Sequence, residues 1–376
     1  MSVIEKGAFL ACFETVKDPR MNRQRKHELL DIIALTICAV ISGADAWTEV
    51  ERYGREKFDW LRTFLRLENG IPSHDTIGRV FCLLDPNELQ EAFAQWVRTI
   101  AGRLEGVVAI DGKTARRSHD AASGKGALHL VSAWASEAGL ALGQVATDQK
   151  SNEITAIPKL LAMLHIKGCL VTIDAMGCQR KIAQNILDAG ADYLLNVKGN
   201  QERLEEDIAE EFAQAQADGF KHMEHTYFET LEKNRDRIER REYWVTEDIG
   251  GLGTLDKWPK LTAMAMCKRT RTIGGETSCE THYYITSAKE ANAERIGHSI
   301  RSHWSVENSL HWVLDIAFRE DESRIRVGNA QENMALLRKL TLNLLKNDKS
   351  KKASIKAKRL SAGWNNEYMK RLLTQF

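Results

Sequence analysis

The hydrophobic period of this chain changes at residue 107, and that change limits its fold more than any other feature. Before it, apolar residues recur at helical spacing. In KHELLDIIALTICAVISG (26–43) they fall at 29, 30, 32, 33, 37, 40 and 41, which predicts a helix ending at Gly43. Further helices are expected over 47–67, 75–84 and 86–100, with Asp85-Pro86 as a turn and Pro86 in a first helical position. After it, VVAID (107–111), ALHLVSAWAS (127–136) and GLALGQVATD (139–148) read as strands. Helix 155–164, strand CLVTID (169–174), helix 179–189, strand DYLLNV (192–197) and helix 202–217 follow. Three strands and then alternating helices and strands predict an α/β protein with a mixed sheet covered by helices.

Residues 220–288 lose that rhythm. REYWVTED, LTAMAMCKR and THYYITSA read as strands between glycine-rich loops, a β-rich insertion. Helices return over 291–317, 330–346 and 354–374. There is no internal repeat and no low-complexity linker.

Fifty-three Lys and Arg against 52 Asp and Glu leave a formal charge of +1, so a globally basic nucleic-acid coat is excluded. Local patches remain. Lys17, Arg20, Arg23, Arg25 and Lys26 face only Asp18, and the tail 341–376 carries nine Lys/Arg against Asp348 and Glu367. Either end could touch phosphates or simply be a solvated face. The seven cysteines show no C-x2-C spacing, so they are read as reduced thiols of a soluble, cytoplasmic protein. The most apolar stretch, Ile32–Ile41, is about half the length of a membrane span.

Two strands end in aspartate, VVAID at Asp111 and LVTID at Asp174. Open α/β sheets bind ligands at strand C-termini. Two carboxylates brought together there repel, and a divalent metal resolves the conflict; hard oxygen donors select magnesium or manganese. A third carboxylate lies in RSHWSVENSLHWVLD (301–315), where His303, Glu307 and His311 stand at i, i+4 and i+8. Glu307 sits among Trp304, Val306, Leu310 and Trp312, so partial burial is expected. His303-x3-Glu307-x3-His311 also has zinc-like spacing. The aspartates favour Glu307 alone as the ligand of the three, with His303 touching a phosphate or orienting the site and His311 packed or hydrogen-bonded. Glu153, in KSNEITAIP, reads as a helix-start residue stabilised by the dipole.

In the order strand, strand, late helix, with an insertion before the last, Asp111, Asp174 and Glu307 resemble the DDE triad of an insertion-sequence transposase on a ribonuclease H-like fold. HELLDIIALTICAVISG, NGIPSHDTIGRVF, AIDGKTARRS, DQKSNEITAIP, TIDAMGCQ, YLLNVKGNQ and HWSVENSLHWVLD narrow the resemblance to the ISAs-type family with its H-repeat-associated proteins. Related transposases often carry a Y-R-E-K signature around the glutamate. Ile300, His303 and Leu314 occupy its other positions here, so the roles of those basic partners do not carry over.

The resemblance implies a helical N-terminal DNA-binding and assembly domain (1–102) and a ribonuclease H-like catalytic core (103–218 and 290–346). A β-rich insertion (219–289) and a basic C-terminal helix (347–376) complete it. It implies metal ligation by Asp111, Asp174 and Glu307, with two magnesium or manganese ions. The implied partners are double-stranded DNA, as transposon ends and target, and further copies of the chain assembled on that DNA. Lys113, Arg116 and Arg117 after the first aspartate, and Lys198, Asn200 and Gln201 after Val197, would lie at the same sheet edge and contact phosphates. Rival readings are a nuclease of the same fold that does not join strands, and a catalytically idle DNA-binding remnant.

Overall fold

The computed structural model describes residues 8–22, 25–119, 126–147 and 153–374. Helices come first: α1 (Leu29–Ile41), α2 (Trp47–Glu56), α3 (His74–Leu83) and α4 (Pro86–Ala101). Every residue of α1 except Leu30 is buried, so it is an axis around which the others pack. Ser73 caps α3 by accepting from the Thr76 amide. Asp85 caps α4 by accepting from Asn87, with Pro86 in the first turn as expected. The single helix expected over 47–67 stops at Glu56, and only the short turn Phe58–Leu61 continues it. The chain is then held by buried Asp31, whose carboxylate accepts from the Arg66 and Leu67 amides at 3.3 and 2.9 Å.

The alternating region gives β1 (Val107–Thr114), β2 (His129–Ala135), β3 (Leu140–Thr147), α5 (Glu153–Met163), β4 (Leu170–Ile173), α6 (Arg180–Asp188), β5 (Asp192–Val197) and α7 (Glu202–Asp218). Next come β6 (Thr226–Asn234), β7 (Arg237–Thr246), β8 (Ala263–Ile273) and β9 (Glu276–Thr286). All nine strands form one sheet in the order β3-β2-β1-β4-β5-β9-β8-β7-β6. β1, β2 and β3 pair antiparallel, while β4 and β5 run parallel to β1. This is the expected ribonuclease H-like α/β arrangement. Strand β9 pairs antiparallel with β5, so the β-rich segment extends the main sheet. It contains four strands where three were expected. The missed one, β6, is the outer edge strand and almost wholly exposed, so it lacks the apolar alternation that marks a half-buried strand.

The other edge, β3, is covered. The Asn343 side chain accepts from Ala141 N–H at 2.9 Å and donates to Ala141 C=O at 2.8 Å, and Gln90 Oε1 accepts from the Gln144 amide at 3.0 Å. Asn343 belongs to the late helices, α8 (Ala293–His303), α9 (Trp312–Phe318), α10 (Ala330–Asn347), α11 (Ile355–Trp364) and α12 (Asn366–Thr374). Between α8 and α9 lies a π-helical turn, Glu307–His311, where one long helix was expected. Helix α8 lies on the sheet through Ile296 and Ile300, in a core shared with Tyr243 and Ala265. Gly297 makes this approach possible, because a Cβ there would stand 2.9 Å from the Tyr243 ring.

The basic tail is two helices, broken at Asn365, and part of its charge is structural. Lys358 is buried and donates to the Leu345 and Asp348 carbonyls; buried Arg359 donates to the Val40 carbonyl of α1. Near the N-terminus Arg20 is likewise buried, bonded to Asp18 and the His27 carbonyl, and Arg25 joins Asp18 at 3.4 Å. Arg23 lies outside the described residues. Among the described residues no helix is long and apolar enough to cross a membrane.

Candidate active site

The parallel pairing of β1 with β4 ends at Ile110 opposite Ile173, and the next residue of each strand is an aspartate. Asp111 and Asp174 therefore leave the C-terminal end of two neighbouring central strands. Contrary to expectation, β1 does not stop at Asp111. Its antiparallel pairing with β2 continues through Gly112↔Val131 to Thr114, so Asp-Gly is extended strand and not a turn. Asp174 does begin a turn, and its Oδ1 accepts from the Met176 and Gly177 amides at 3.1 and 3.3 Å. A Cβ on Gly177 would run into the Ile173 side chain, so this close turn requires glycine.

The third carboxylate arrives from the π turn. The Trp312 amide donates to the Glu307 carbonyl, five residues back, so one extra residue is accommodated there. Val306 and Leu310 take the buried positions while Glu307 itself is exposed, against the expectation of partial burial. Asp111, Asp174 and Glu307 line one cavity of about 260 Å³, together with Asn196, Lys198, His303 and Trp304.

Burial pushes the Asp111 carboxyl up to about 7, and the negative charges of Asp174, Glu307 and Glu153 add to that; a hydrogen bond from Gly112 opposes them. The cavity is short of positive charge. Among the described residues no three His, Cys, Asp or Glu side chains are spaced to enclose a metal ion, so the carboxylates border the cavity without closing into a cage. As a donor set they nonetheless suit a hard divalent cation: all oxygen, all acidic, with one acid pushed up to about 7 chiefly by burial.

The histidines do not form the zinc-like trio. His303 lines the cavity, pairs its Nδ1 with the Thr172 hydroxyl at 3.0 Å, and is held below its ordinary range by burial. His311 is carried elsewhere by the π turn. Its Nδ1 stands 3.4 Å from Asp111 Oδ2, and burial, with Lys339 and Lys113 nearby, pushes it down to about 3. It is a neutral group packed behind Asp111.

The expected phosphate-binding residues separate into three groups. Lys113 is turned inward onto Asp315, Glu320 and Asp321, leaving little of it exposed. Arg116 and Arg117 are exposed, Arg116 with Asp321 at 3.5 Å. On the far side Lys198 opens onto the cavity, but Asn200 and Gln201 donate to the Ala175 and Cys178 carbonyls at 2.7 and 2.9 Å. Those two amides clamp the turn that carries Asp174.

Two features escaped the sequence reading. Asn196, near the end of β5, lines the cavity, and its buried Oδ1 has no hydrogen-bond partner among the described residues. Behind Asp111 runs a chain of hydrogen bonds from the Thr114 hydroxyl to His129 at 2.7 Å and from His129 to Glu153 at 2.7 Å. Glu153 does start a helix, as expected, but it is buried beneath Gly112, where any Cβ would strike it. A lone polar residue near the end of an apolar strand was the available signal for Asn196; nothing local announces the His129–Glu153 pair.

A ribonuclease H-like sheet with acidic residues at the ends of its two central parallel strands, joined by a glutamate from a late helix, defines a class of polynucleotide-processing α/β enzymes. Comparison with known proteins makes the assignment narrower. A model of the transposase DDE domain matches residues 102–344, and one described as DDE_Tnp_1-associated matches residues 10–97. The chain belongs to the DDE transposase family and is a DNA transposase. It is 42% identical over 371 residues to the transposase-named YncI of Escherichia coli O157:H7, covering 97% of this chain and 94% of that one. It is 41% identical over 364 residues to the H repeat-associated, transposase-named YhhI of Escherichia coli K12, covering 95% of each. Among solved structures, a piggyBac transposase synaptic complex with hairpin DNA aligns over 98% of this chain and 81% of that one. Its TM-score is 0.42 at 10% identity, too loose a likeness to bear weight.

Proposed function

We propose that Asp111, Asp174 and Glu307 are the catalytic triad of a transposase that binds element ends, cleaves phosphodiester bonds and joins the freed strand to target DNA. The observation that carries this reading is the meeting of three carboxylates, from positions 111, 174 and 307, in one cavity where Asp111 is pushed up to about 7. Two magnesium or manganese ions, when bound, would supply activation of the attacking oxygen and stabilisation of the leaving one. Asp111 and Asp174 would hold them from the strand ends and Glu307 from the π turn, which leaves it exposed. Asn200 and Gln201 would keep the Asp174 turn in place. Lys198, with His303 and the exposed Arg116 and Arg117, would position the DNA backbone. Double-stranded DNA would be bound by copies of the chain assembled on two ends, in the bacterial cytoplasm.

The test uses purified protein, its flanking element ends and magnesium, with 3′ ends and joints mapped. Asp111→Asn, Asp174→Asn and Glu307→Gln should each abolish cleavage and joining while DNA binding persists. Near-normal cleavage by any one of them removes that residue from the triad. Cleavage without joints would leave the nuclease reading in possession. Activity restored to the chelated protein by stoichiometric zinc, but not by magnesium, would overturn the metal assignment.

A further inference from the structure

A second charged feature lies beside the carboxylate cavity. Side chains alternate across a strand, so Arg237, Glu239 and Arg241 of β7 share one face, and the antiparallel register adds Arg269 and Arg271 of β8 to it. Arg241 stands directly opposite Arg269, and Glu239 opposite Arg271. Like charges facing each other across a ladder destabilise a sheet, so the Arg241–Arg269 pair needs neighbouring carboxylates or a bound anion to offset it. Arg301, from the last turn of α8, points to the same place. The five arginines line a cleft of about 590 Å³, which shares Trp304 and Glu307 with the catalytic cavity and so runs directly into it.

The carboxylates around the cleft do not balance it. Glu239 serves Arg237 and Arg241 and lies 3.7 Å from Arg271; Glu232 lies 3.2 Å from Arg241 and 3.1 Å from Arg301; Glu280 serves Arg269. With Glu307 at its edge, four acids thus stand against five guanidinium groups. Arg241 is only 5% exposed, yet its Nη1 makes no aligned hydrogen bond among the described residues, and neither does Arg271 Nε. Both atoms rest against a carboxylate, Glu232 at 3.2 Å and Glu239 at 3.7 Å, and the planar forks open to an incoming phosphodiester are those of the more exposed Arg237, Arg269, Arg271 and Arg301. The opposite face of the same strands differs: Arg240 is bound to Glu229 at 2.7 Å and lies 3.1 Å from Glu242.

We propose that this cleft is a phosphate track, holding the backbone of the DNA duplex as it leaves the catalytic cavity along β7 and β8. It deepens the transposase reading and rests on it. The track reads no sequence; it fixes the duplex against the sheet and thereby sets which phosphodiester reaches Asp111, Asp174 and Glu307.

The experiment follows binding of the full chain to a fluorescein-labelled duplex of arbitrary sequence by anisotropy, across a salt series. Three double or single variants are compared: Arg269→Gln with Arg271→Gln, Arg269→Lys with Arg271→Lys, and Arg240→Gln. The glutamine pair should weaken binding and flatten the slope of log K against log salt by about 0.9 for each phosphate left without its arginine, about 1.8 in all. The lysine pair should restore most of that slope, because charge suffices for a phosphate, and Arg240→Gln should match the wild type. A glutamine pair with wild-type slope and an unchanged melting temperature overturns the track. So does a lysine pair that fails as badly as the glutamine pair while both melt early, since the arginines would then be structural forks. If the wild type binds no duplex at all, the DNA reading of the whole site falls with it; if it binds and the glutamine pair binds alike, only the track falls.

Discussion

Replacing Asp111 by asparagine should stabilise the metal-free protein at alkaline pH while silencing it. Burial, and after it the carboxylates of Asp174, Glu307 and Glu153, raise this acid from its ordinary 3.8 to about 7. At about 1.36 kcal/mol per pH unit, that displacement has a ceiling of roughly 4 kcal/mol. The side chain is 21% exposed, and solvent relaxation brings the working figure to about 2–3 kcal/mol. The sign follows from proton counting. Between about pH 4 and pH 7 the folded chain retains a proton that the unfolded chain has released, so stability falls as pH rises through that window. The cost is absent below the unfolded value and complete above 7. Asparagine has no proton to lose, so the variant should lack this slope. With an unfolding entropy of about 2.1 cal/mol/K per residue, 376 residues give about 0.8 kcal/mol/K, and the gain becomes about 3–4 °C in Tm. Calorimetry in EDTA at pH 5 and pH 8 measures it. Magnesium at pH 8 should then raise the wild-type Tm and leave the variant unmoved. A variant that melts at or below the wild type at pH 8, with the wild-type pH slope intact, would refute the electrostatic account of the cavity.

Three other outcomes follow from buried polar groups. Burial alone would push Glu320 up, but Lys339, Lys113 and Arg338 outweigh it and hold it below the usual range. Glu320→Gln should therefore strand buried cations and cost about 3–5 kcal/mol, read by urea unfolding; a loss under 1 kcal/mol would dismiss the network as decoration. Asn343→Leu removes both side-chain partners of Ala141 on edge strand β3 and should cost about 2–4 kcal/mol, which hydrogen exchange at Ala141 would localise. Deleting residues 349–376 should lower Tm sharply, because Lys358 and Arg359 bind the Leu345 and Val40 carbonyls and Tyr368 binds Asp348. Unchanged melting with a flatter salt dependence of DNA binding would show instead a tail built only for phosphates.

The sequence by itself determined the elements whose information is local. The period change at 107 marked the passage from helices to sheet, the β1-to-β5 alternation set the α/β class, and two apolar strands ran into Asp111 and Asp174. Capping chemistry at Asp85-Pro86 was equally legible, since a side chain and its own neighbouring amides decide it. Glu307 could be picked out by its motif, but not its setting. Its helical spacing placed His303, Glu307 and His311 on one face, whereas a π turn that buries Val306 and Leu310 exposes Glu307 and sends His311 behind Asp111. Lys113, Asn200 and Lys358 looked like free polar groups because their partners lie across the fold or in another element. The arginine ladder is the plainest case. Arg241 and Arg269 become neighbours only when β7 and β8 pair, and the cleft exists only because β9 joins the insertion to β5 beside the helix that carries Glu307. Periodicity and capping are energies between residues a few positions apart, so a sequence displays them. Register, burial and charge sharing depend on distant segments packing together, and only the tertiary structure decides those.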